Sequence, residues 1–262
     1  MIVDFILMAF DEECPLLEIR MAELKGLVDL FVIVESLRTH QGAPKQPLDA
    51  NAIRDIADKH NSEWQLLTHH GGDQSETDPW KRVAAHRNTI TDSRLFRMLP
   101  PDTWTLQGDV DEIPRARVVR EVSELRHRRG GTLLMTEHWM FLNTLGNRFV
   151  HGTRFIQKSM MQGVLETADG VRQTPMQAVL SGGWHLSFLG TASVVQRKLA
   201  TYAHAELNVP PWNTTEWIEK CRNELADLFG AGDHKLAITG TDDLPKFVKD
   251  NEARFREMGW IK

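Results

Sequence analysis

The first half of the chain alternates short apolar runs with longer amphipathic stretches. Runs of strand length are predicted over 2–10, 30–34, 64–68 and 103–107. Amphipathic helices are predicted from Pro15 onward, over 50–60 and over 80–98, and a polar loop over 69–78. Strands that alternate with helices in this way are typical of an α/β domain whose sheet is open, twisted and largely parallel.

The second half of the chain carries a weaker pattern. Pro114 suits the first turn of a helix, and its apolar positions would be Val118, Val119, Val122 and Leu125. A further strand is predicted over 132–136 and short strands and turns over 139–184. After Leu189 the pattern is mostly helical. We therefore expect one unit with a helical C-terminal region.

The overall charge narrows the class of partner. Basic residues number 31 against 36 acidic ones, a net charge of -5, which gives no general attraction to nucleic acids or anionic membranes. Local basic runs at 115–120 and 126–129 are expected to be solvated helix faces. Cys14 and Cys221 stand far apart and predict neither a disulfide framework nor a zinc site.

Residues 1–10 are apolar, yet they begin with no basic segment and are interrupted by Asp4. A signal peptide or membrane anchor would differ on both points, so a buried first strand is the better interpretation. No apolar run reaches the roughly 18 residues of a membrane span. We expect a soluble, cytoplasmic protein with no stable membrane insertion.

Asp109 and Asp111 follow a predicted strand and are separated by one residue. Alternate side chains of an extended segment point to the same side, so both carboxylates can reach one point. Such a pair suits Mg²⁺ or Mn²⁺, which bind carboxylates together with substrate phosphates. Open α/β sheets bind ligands beyond the carboxyl ends of their strands. The pair therefore predicts a metal site for a diphosphate.

The two aspartates allow other interpretations. A calcium loop would need an oxygen ligand at Ile113 and a glycine at Pro114, and neither is present. A phosphatase of the aspartyl-phosphate kind would carry its aspartates after the first strand, whereas these come mid-chain. A metal-dependent phosphohydrolase or nucleotidyl enzyme stays open, as does a non-enzymatic module that binds sugar through its tryptophans.

Four segments carry a family resemblance: 17–20, 28–36, 109–114 and 182–190, which read LEIR, VDLFVIVES, DVDEIP and GGWHLSFLG. Together they resemble glycosyltransferase family 17, the family of the bisecting β-1,4-mannosyl-glycoprotein N-acetylglucosaminyltransferase. The resemblance implies a GT-A fold, a UDP-sugar donor of the UDP-GlcNAc or UDP-glucose type, Mn²⁺ or Mg²⁺, and transfer with inversion. It also implies a single domain over 1–262, with 1–115 binding the nucleotide sugar and 116–262 forming the acceptor half.

The metal ligands follow from the same resemblance. Asp109 and Asp111 resemble the family's metal-and-diphosphate motif, with Asp111 as the direct, catalytic ligand and Asp109 as a contact to ribose or bound water, or the reverse. His185 resembles the histidine that completes the coordination in GT-A enzymes, and a neutral imidazole suits manganese. A histidine packed under Trp184 is the structural alternative.

Donor-binding residues are expected at two strand and helix ends. Glu35 and Ser36 end the second strand, where a carboxylate can accept hydrogen bonds from uridine or ribose hydroxyls. Arg82 and His86 share one face of the predicted helix 80–98, and Arg87 follows them. An arginine here could bind phosphate bidentately, or the residues could form a solvated helix face.

Lys198 and His204 also resemble family positions and are expected to neutralise the departing diphosphate, with Glu206 orienting His204. An inverting transfer needs a general base. Glu137 is the first candidate because a strand end near the donor holds a base rigidly. Glu166 and Asp169 are alternatives.

The acceptor stays open. Animal members of the family are membrane-anchored and act on N-glycans, so the missing anchor speaks against a glycoprotein acceptor. A glycan, a lipid-linked sugar, a small molecule and a modified nucleobase remain as alternatives.

Overall fold

The computed structural model describes residues 1–124, 130–230 and 236–262. Its strands are β1 (Ile2–Leu7), β2 (Leu30–Ser36), β3 (Trp64–His69), β4 (Trp104–Asp109), β5 (Glu112–Pro114), β6 (Gly131–Trp139), β7 (Thr144–Gln157), β8 (Ala178–Ser187) and β9 (Ala237–Ile238). Its α-helices are α1 (Cys14–Glu23), α2 (Ala50–His60), α3 (Pro79–Asp92), α4 (Arg94–Met98), α5 (Ala116–Glu124), α6 (Ala168–Gln173), α7 (Ala192–Thr201), α8 (Thr215–Glu224), α9 (Lys246–Asp250) and α10 (Glu252–Glu257).

The described strands form one sheet in the order β3-β2-β1-β4-β7-β6-β8-β5, with β9 beside β7. The pairings from β3 to β4 are parallel, as is that of β6 with β8. The pairings of β4 with β7, β7 with β6 and β8 with β5 are antiparallel. Chain order reverses between β1 and β4, and this is the point where open α/β sheets bind ligands.

Helices cover both faces of the parallel half. Ile6 of β1 shares a core with Leu17 of α1, whereas its neighbour Phe5 packs on the other face with Ile90 of α3. This alternation follows from the period of two along a strand. A third core joins α7 and α8 beside the end of β8, around Phe188. The predicted α/β class and the helical C-terminal region are confirmed.

Three local predictions were wrong in their bounds. Pro114 ends strand β5 and does not open a helix, and α5 begins at Ala116. The predicted helix 80–98 is divided at Ser93, whose hydroxyl accepts a hydrogen bond from the Phe96 amide at 3.0 Å and so caps α4. The region of expected short strands contains the 14-residue β7.

Some predicted features cannot be compared with the structure. Leu125 and the basic run 126–129 lie outside the described residues. Within residues 1–124, 130–230 and 236–262, no helix combines the length and the hydrophobicity needed to cross a bilayer.

Candidate active site

The two aspartates lie in a tight turn between β4 and β5, at the carboxyl end of the parallel strands. Asp109 ends β4, and Asp111 belongs to the turn itself. The backbone is tied to both neighbouring strands, because the Val110 amide donates to Leu7 O at 2.9 Å and the Leu186 amide donates to Asp111 O at 2.8 Å. The turn is therefore fixed by main-chain hydrogen bonds on both sides.

Arg20 of α1 holds this turn from the interior of the protein. Its side chain and that of Asp4 are fully buried and form a two-point ion pair at 2.7 and 2.8 Å. Its remaining nitrogen, Nη1, donates to Asp109 O at 2.9 Å and to Glu112 O at 2.6 Å. One guanidinium thus fixes the backbone on both sides of the turn.

Asp111 is buried and faces a lysine and a histidine. Lys198 Nζ lies 2.6 Å from Asp111 Oδ2, and His185 Nε2 lies 3.7 Å from the same oxygen. Burial raises the pKa of Asp111, but Lys198 and His185 outweigh this effect and the pKa lies below its ordinary value. Burial likewise lowers the pKa of Lys198, and Asp111 more than restores it. The pair is therefore charged at neutral pH.

Asp109 is the more open carboxylate, with 38% of its side chain exposed. Arg87 of α3 and Arg172 of α6 face it at 3.7 and 3.9 Å, too far for direct hydrogen bonds. Burial raises the pKa of Asp109, but the two arginines hold it well below the ordinary value. Arg172 itself is anchored by two bonds to Glu112, at 2.6 and 2.9 Å.

Glu13 is a charged neighbour that the sequence did not single out. Its carboxylate accepts hydrogen bonds from the Ala9 and Phe10 amides at 2.7 and 3.4 Å. Burial raises the pKa of Glu13 to about 7, against the opposing attraction of Lys198. Glu13 and Lys198 share the wall of a pocket of about 330 Å³ that includes its open mouth.

Arg82 and His86 both contact His40, which lies in the segment after β2. Arg82 Nη1 donates to His40 O at 3.2 Å, and His86 Nδ1 lies 3.3 Å from His40 Nε2. Arg82 also donates to the Glu76 carbonyl. Its guanidinium thus holds backbone oxygens of the segments around it.

Glu35 and Ser36 are buried at the end of β2 and have partners within the protein. Glu35 accepts hydrogen bonds from the Leu48 amide at 2.7 Å and the Thr68 hydroxyl at 2.8 Å. Ser36 donates to Arg38 O at 2.8 Å, the turn role weighed in the sequence.

Glu137 lies within β6 and is buried. It stands opposite His185 in the pairing of β6 with β8, and its carboxyl group lies against Gly146. Of the alternatives, Asp169 lies 3.5 Å from Arg87 and Glu166 is exposed. Of the three candidate bases, Glu137 is the one whose strand position pairs with His185.

His204 is exposed and lies farther out. Its Nδ1 lies 2.7 Å from Glu206, which matches the expected orienting contact, and its ring meets Trp80 edge-on at 4.8 Å between centroids. Nothing among the described contacts links it to the aspartate turn.

The fit of a metal ion rests on Asp109, Asp111 and His185. Two carboxylates and an imidazole are suitable donors for Mn²⁺ or Mg²⁺, and the second ring nitrogen of His185, Nδ1, is buried without a hydrogen-bond partner. Across the described parts of the chain, no three or more His, Cys, Asp and Glu side chains are arranged to hold a metal ion. The three side chains are donors of the right type, but in this structure they are not gathered into a ligand set, and a cation would have to share Asp111 with Lys198.

Sequence reasoning missed several groups that complete the site: Arg20, Glu13, His40, Glu112 and Arg172. They come from four segments far apart in the chain. Arg20 and Glu112 carried a signal, because they belong to the segments LEIR and DVDEIP.

Comparisons with known proteins identify the family. The model of glycosyltransferase family 17 matches residues 1–230. No curated protein matches the chain. Similar solved structures include HddC from Yersinia pseudotuberculosis, at 12% identity and a TM-score of 0.40, covering 70% of this chain and 92% of that one.

Two further structures are similar over about the same length. A putative glucose-1-phosphate thymidylyltransferase from Bacillus anthracis has 9% identity and a TM-score of 0.41, covering 70% of this chain and 88% of that one. Mouse xyloside xylosyltransferase 1 has 10% identity and a TM-score of 0.30, covering 66% and 73%. These likenesses are too distant to carry an argument, and the assignment rests on the family match. The chain belongs to glycosyltransferase family 17 and is a glycosyltransferase.

Proposed function

We propose that this glycosyltransferase takes a sugar from a UDP-sugar donor of the UDP-GlcNAc or UDP-glucose type and transfers it with inversion, assisted by Mn²⁺ or Mg²⁺. The observation that carries the proposal is the meeting of Asp109, Asp111, His185 and Lys198 at the carboxyl end of the parallel strands. With a divalent cation bound, these side chains would give an anionic diphosphate the positive setting that it needs.

Asp109, Asp111 and His185 would hold the cation, which when bound neutralises the negative charge of the diphosphate. Lys198 has a charge of its own to offer to the same leaving group, because its side chain, paired with Asp111 at 2.6 Å, remains 21% exposed. Arg87 and Arg172 extend the positive potential past Asp109. These residues bind and orient the donor before any acceptor arrives.

Glu137 is proposed as the general base that takes the proton from the acceptor hydroxyl. Its position opposite His185 places it on a rigid strand next to the aspartate turn. The acceptor remains a glycan, a lipid-linked sugar, a small molecule or a modified nucleobase.

Isothermal titration of UDP with and without Mn²⁺ tests the donor site. We expect metal-dependent binding by the native protein and its loss in Asp111→Asn, with an unchanged circular dichroism spectrum. Absence of UDP binding by the folded native protein in the presence of Mn²⁺ would refute the proposal.

The transfer itself is tested by mass spectrometry of products from a panel of UDP-sugars and acceptors. Glu137→Gln should keep UDP binding and lower the transfer rate about 10²-fold or more, as the loss of a general base does. Release of phosphate with no sugar joined to any acceptor would favour the phosphohydrolase alternative.

A further inference from the structure

A chain of hydrogen bonds through two histidines runs from the end of β2 toward the aspartate turn. His86 Nε2 lies 3.0 Å from the carbonyl oxygen of Val34, and His86 Nδ1 lies 3.3 Å from His40 Nε2. The function proposed above does not use this chain. The donor and the acceptor of each hydrogen bond follow from the chemistry of its atoms.

A carbonyl oxygen can only accept, so His86 Nε2 carries a proton. Burial lowers the pKa of His86 well below its ordinary value, so the ring is neutral and its Nδ1 has a lone pair. His40 Nε2 must then donate to that lone pair. Burial also lowers the pKa of His40 to about 4, which leaves His40 Nδ1 unprotonated.

His40 is held by three hydrogen bonds, two through its backbone and one through its ring. Its backbone amide donates to Thr201 O at 2.9 Å, its carbonyl accepts from Arg82 at 3.2 Å, and its Nε2 donates to His86. Within the described part of the chain, no hydrogen bond reaches His40 Nδ1. A fixed acceptor without a partner therefore remains on the other edge of the ring.

The position of this acceptor limits what it can meet. His40 follows β2 and lies within electrostatic reach of Asp109 and Arg87. A lone pair repels phosphate oxygens, so the ligand must bring an N–H or O–H group. The diphosphate belongs at the aspartate turn, which leaves the nucleoside end of the donor for the side of the sheet where β2 and β3 end.

We propose that His40 Nδ1 accepts a hydrogen bond from the ring N3–H of the donor's base and selects uracil-type bases over cytosine. Uracil and thymine carry a hydrogen on N3, whereas cytosine presents a lone pair there, which would face the lone pair of His40. His86 is a positioning residue, because it fixes which nitrogen of His40 is the acceptor. This inference rests on the proposed nucleotide-sugar donor.

Two substitutions at His40 separate its two nitrogens. In His40→Asn the amide oxygen can take the place of Nδ1 and keep the acceptor. In His40→Gln the amide nitrogen can take the place of Nε2 and keep the bond to His86, while the acceptor is lost. The two variants are thus matched controls for one another.

Isothermal titration with Mn²⁺ and three nucleotides tests the proposal: UDP, CDP and the diphosphate of N3-methyluridine. The native protein should bind UDP about 10- to 100-fold more tightly than the other two, the effect of one hydrogen bond whose loss leaves a polar group unpaired. His40→Asn should keep this preference, and His40→Gln should lose it by weakening UDP binding alone.

Equal binding of UDP and CDP by the native protein would overturn the inference while leaving the proposed function intact. Equal weakening of both nucleotides in His40→Gln would overturn it too, because it would indicate a contact to ribose. A native protein that binds no nucleoside diphosphate would overturn the proposed function and the inference together. The N3-methyl comparison needs no variant, so it decides the matter even where a substitution prevents folding.

Discussion

Removal of Arg20 should destabilise the protein more than any change at the surface of the site. Arg20→Met leaves the fully buried carboxylate of Asp4 without its two-point partner and the carbonyls of Asp109 and Glu112 without a donor. An uncompensated buried charge costs about 3–5 kcal/mol, and each buried carbonyl left unpaired costs about 1–3 kcal/mol. Allowing for relaxation, we expect a loss of at least about 4 kcal/mol in the free energy of unfolding.

Urea denaturation of the native protein, Arg20→Met, Asp4→Leu and the double variant measures this loss. The double variant removes both charges, so it should be more stable than Arg20→Met by about 2 kcal/mol or more. It should still transfer sugar poorly, because the aspartate turn has lost its anchor. A loss below about 1 kcal/mol for Arg20→Met, or strict additivity of the two single changes, would refute this account of the turn.

Two further predictions concern Lys198 and Glu13. Lys198→Met removes the ammonium that competes with a cation for Asp111, so Mn²⁺ should bind about tenfold more tightly while the transfer rate falls. Electron paramagnetic resonance measures the Mn²⁺ affinity. An unchanged affinity would show that Lys198 and Mn²⁺ do not share an oxygen of Asp111. Glu13→Gln should stabilise the protein increasingly as pH rises from about 4.5 to about 7, because the folded-state pKa of Glu13 is raised to about 7. The protonated form is favoured by folding, so native stability is lost across that window. Urea denaturation at pH 8 should show that Glu13→Gln exceeds the native protein in free energy of unfolding by no more than about 3 kcal/mol. A difference that stays constant with pH would contradict the raised pKa of Glu13.

The parallel half of the fold could be predicted because its signals are local. The helix over Ala50–His60 was predicted with the bounds that the structure gives it, and Asp49 caps it by accepting from the Asn51 amide at 2.9 Å. Strand β2, which precedes it, is short, buried and rich in β-branched residues, whereas strand β3, which follows it, is only partly buried. Each of these features depends on residues within a few positions of one another.

The errors arose where tertiary position decides the outcome. Pro114 is a favourable first residue of a helix, but β5 is the last strand in the sheet order and pairs only with β8, so an edge position tolerates the missing amide hydrogen. Strand β7 contains Gly146 and Gly152, which resemble turn signals. A Cβ at position 152 would clash with the sulfur of Met135, so Gly152 serves strand packing.

The sequence indicated the two aspartates, His185 and Lys198 as site residues. The other charged residues around the turn come close to it only when the chain folds. Arg172 comes from a short helix 61 residues beyond Asp111 in the chain, and no spacing rule connects the two. Its partner Glu112 was visible in the sequence only as a neighbour of the aspartates. A single sequence therefore indicates which residues carry the chemistry more readily than which residues hold them in place.

The contacts around the turn also distinguish its two aspartates. Asp111 forms an ion pair with Lys198 at 2.6 Å, and Glu112 forms one with Arg172 at 2.6 Å. Asp109 meets its arginines only at 3.7 and 3.9 Å and keeps 38% of its side chain exposed. A cation or hydroxyl that arrives with a donor can therefore contact Asp109 without breaking an existing bond, whereas Asp111 must first share or release Lys198. We therefore expect Asp109 to be the direct ligand, which is the second of the two assignments that the family resemblance leaves open.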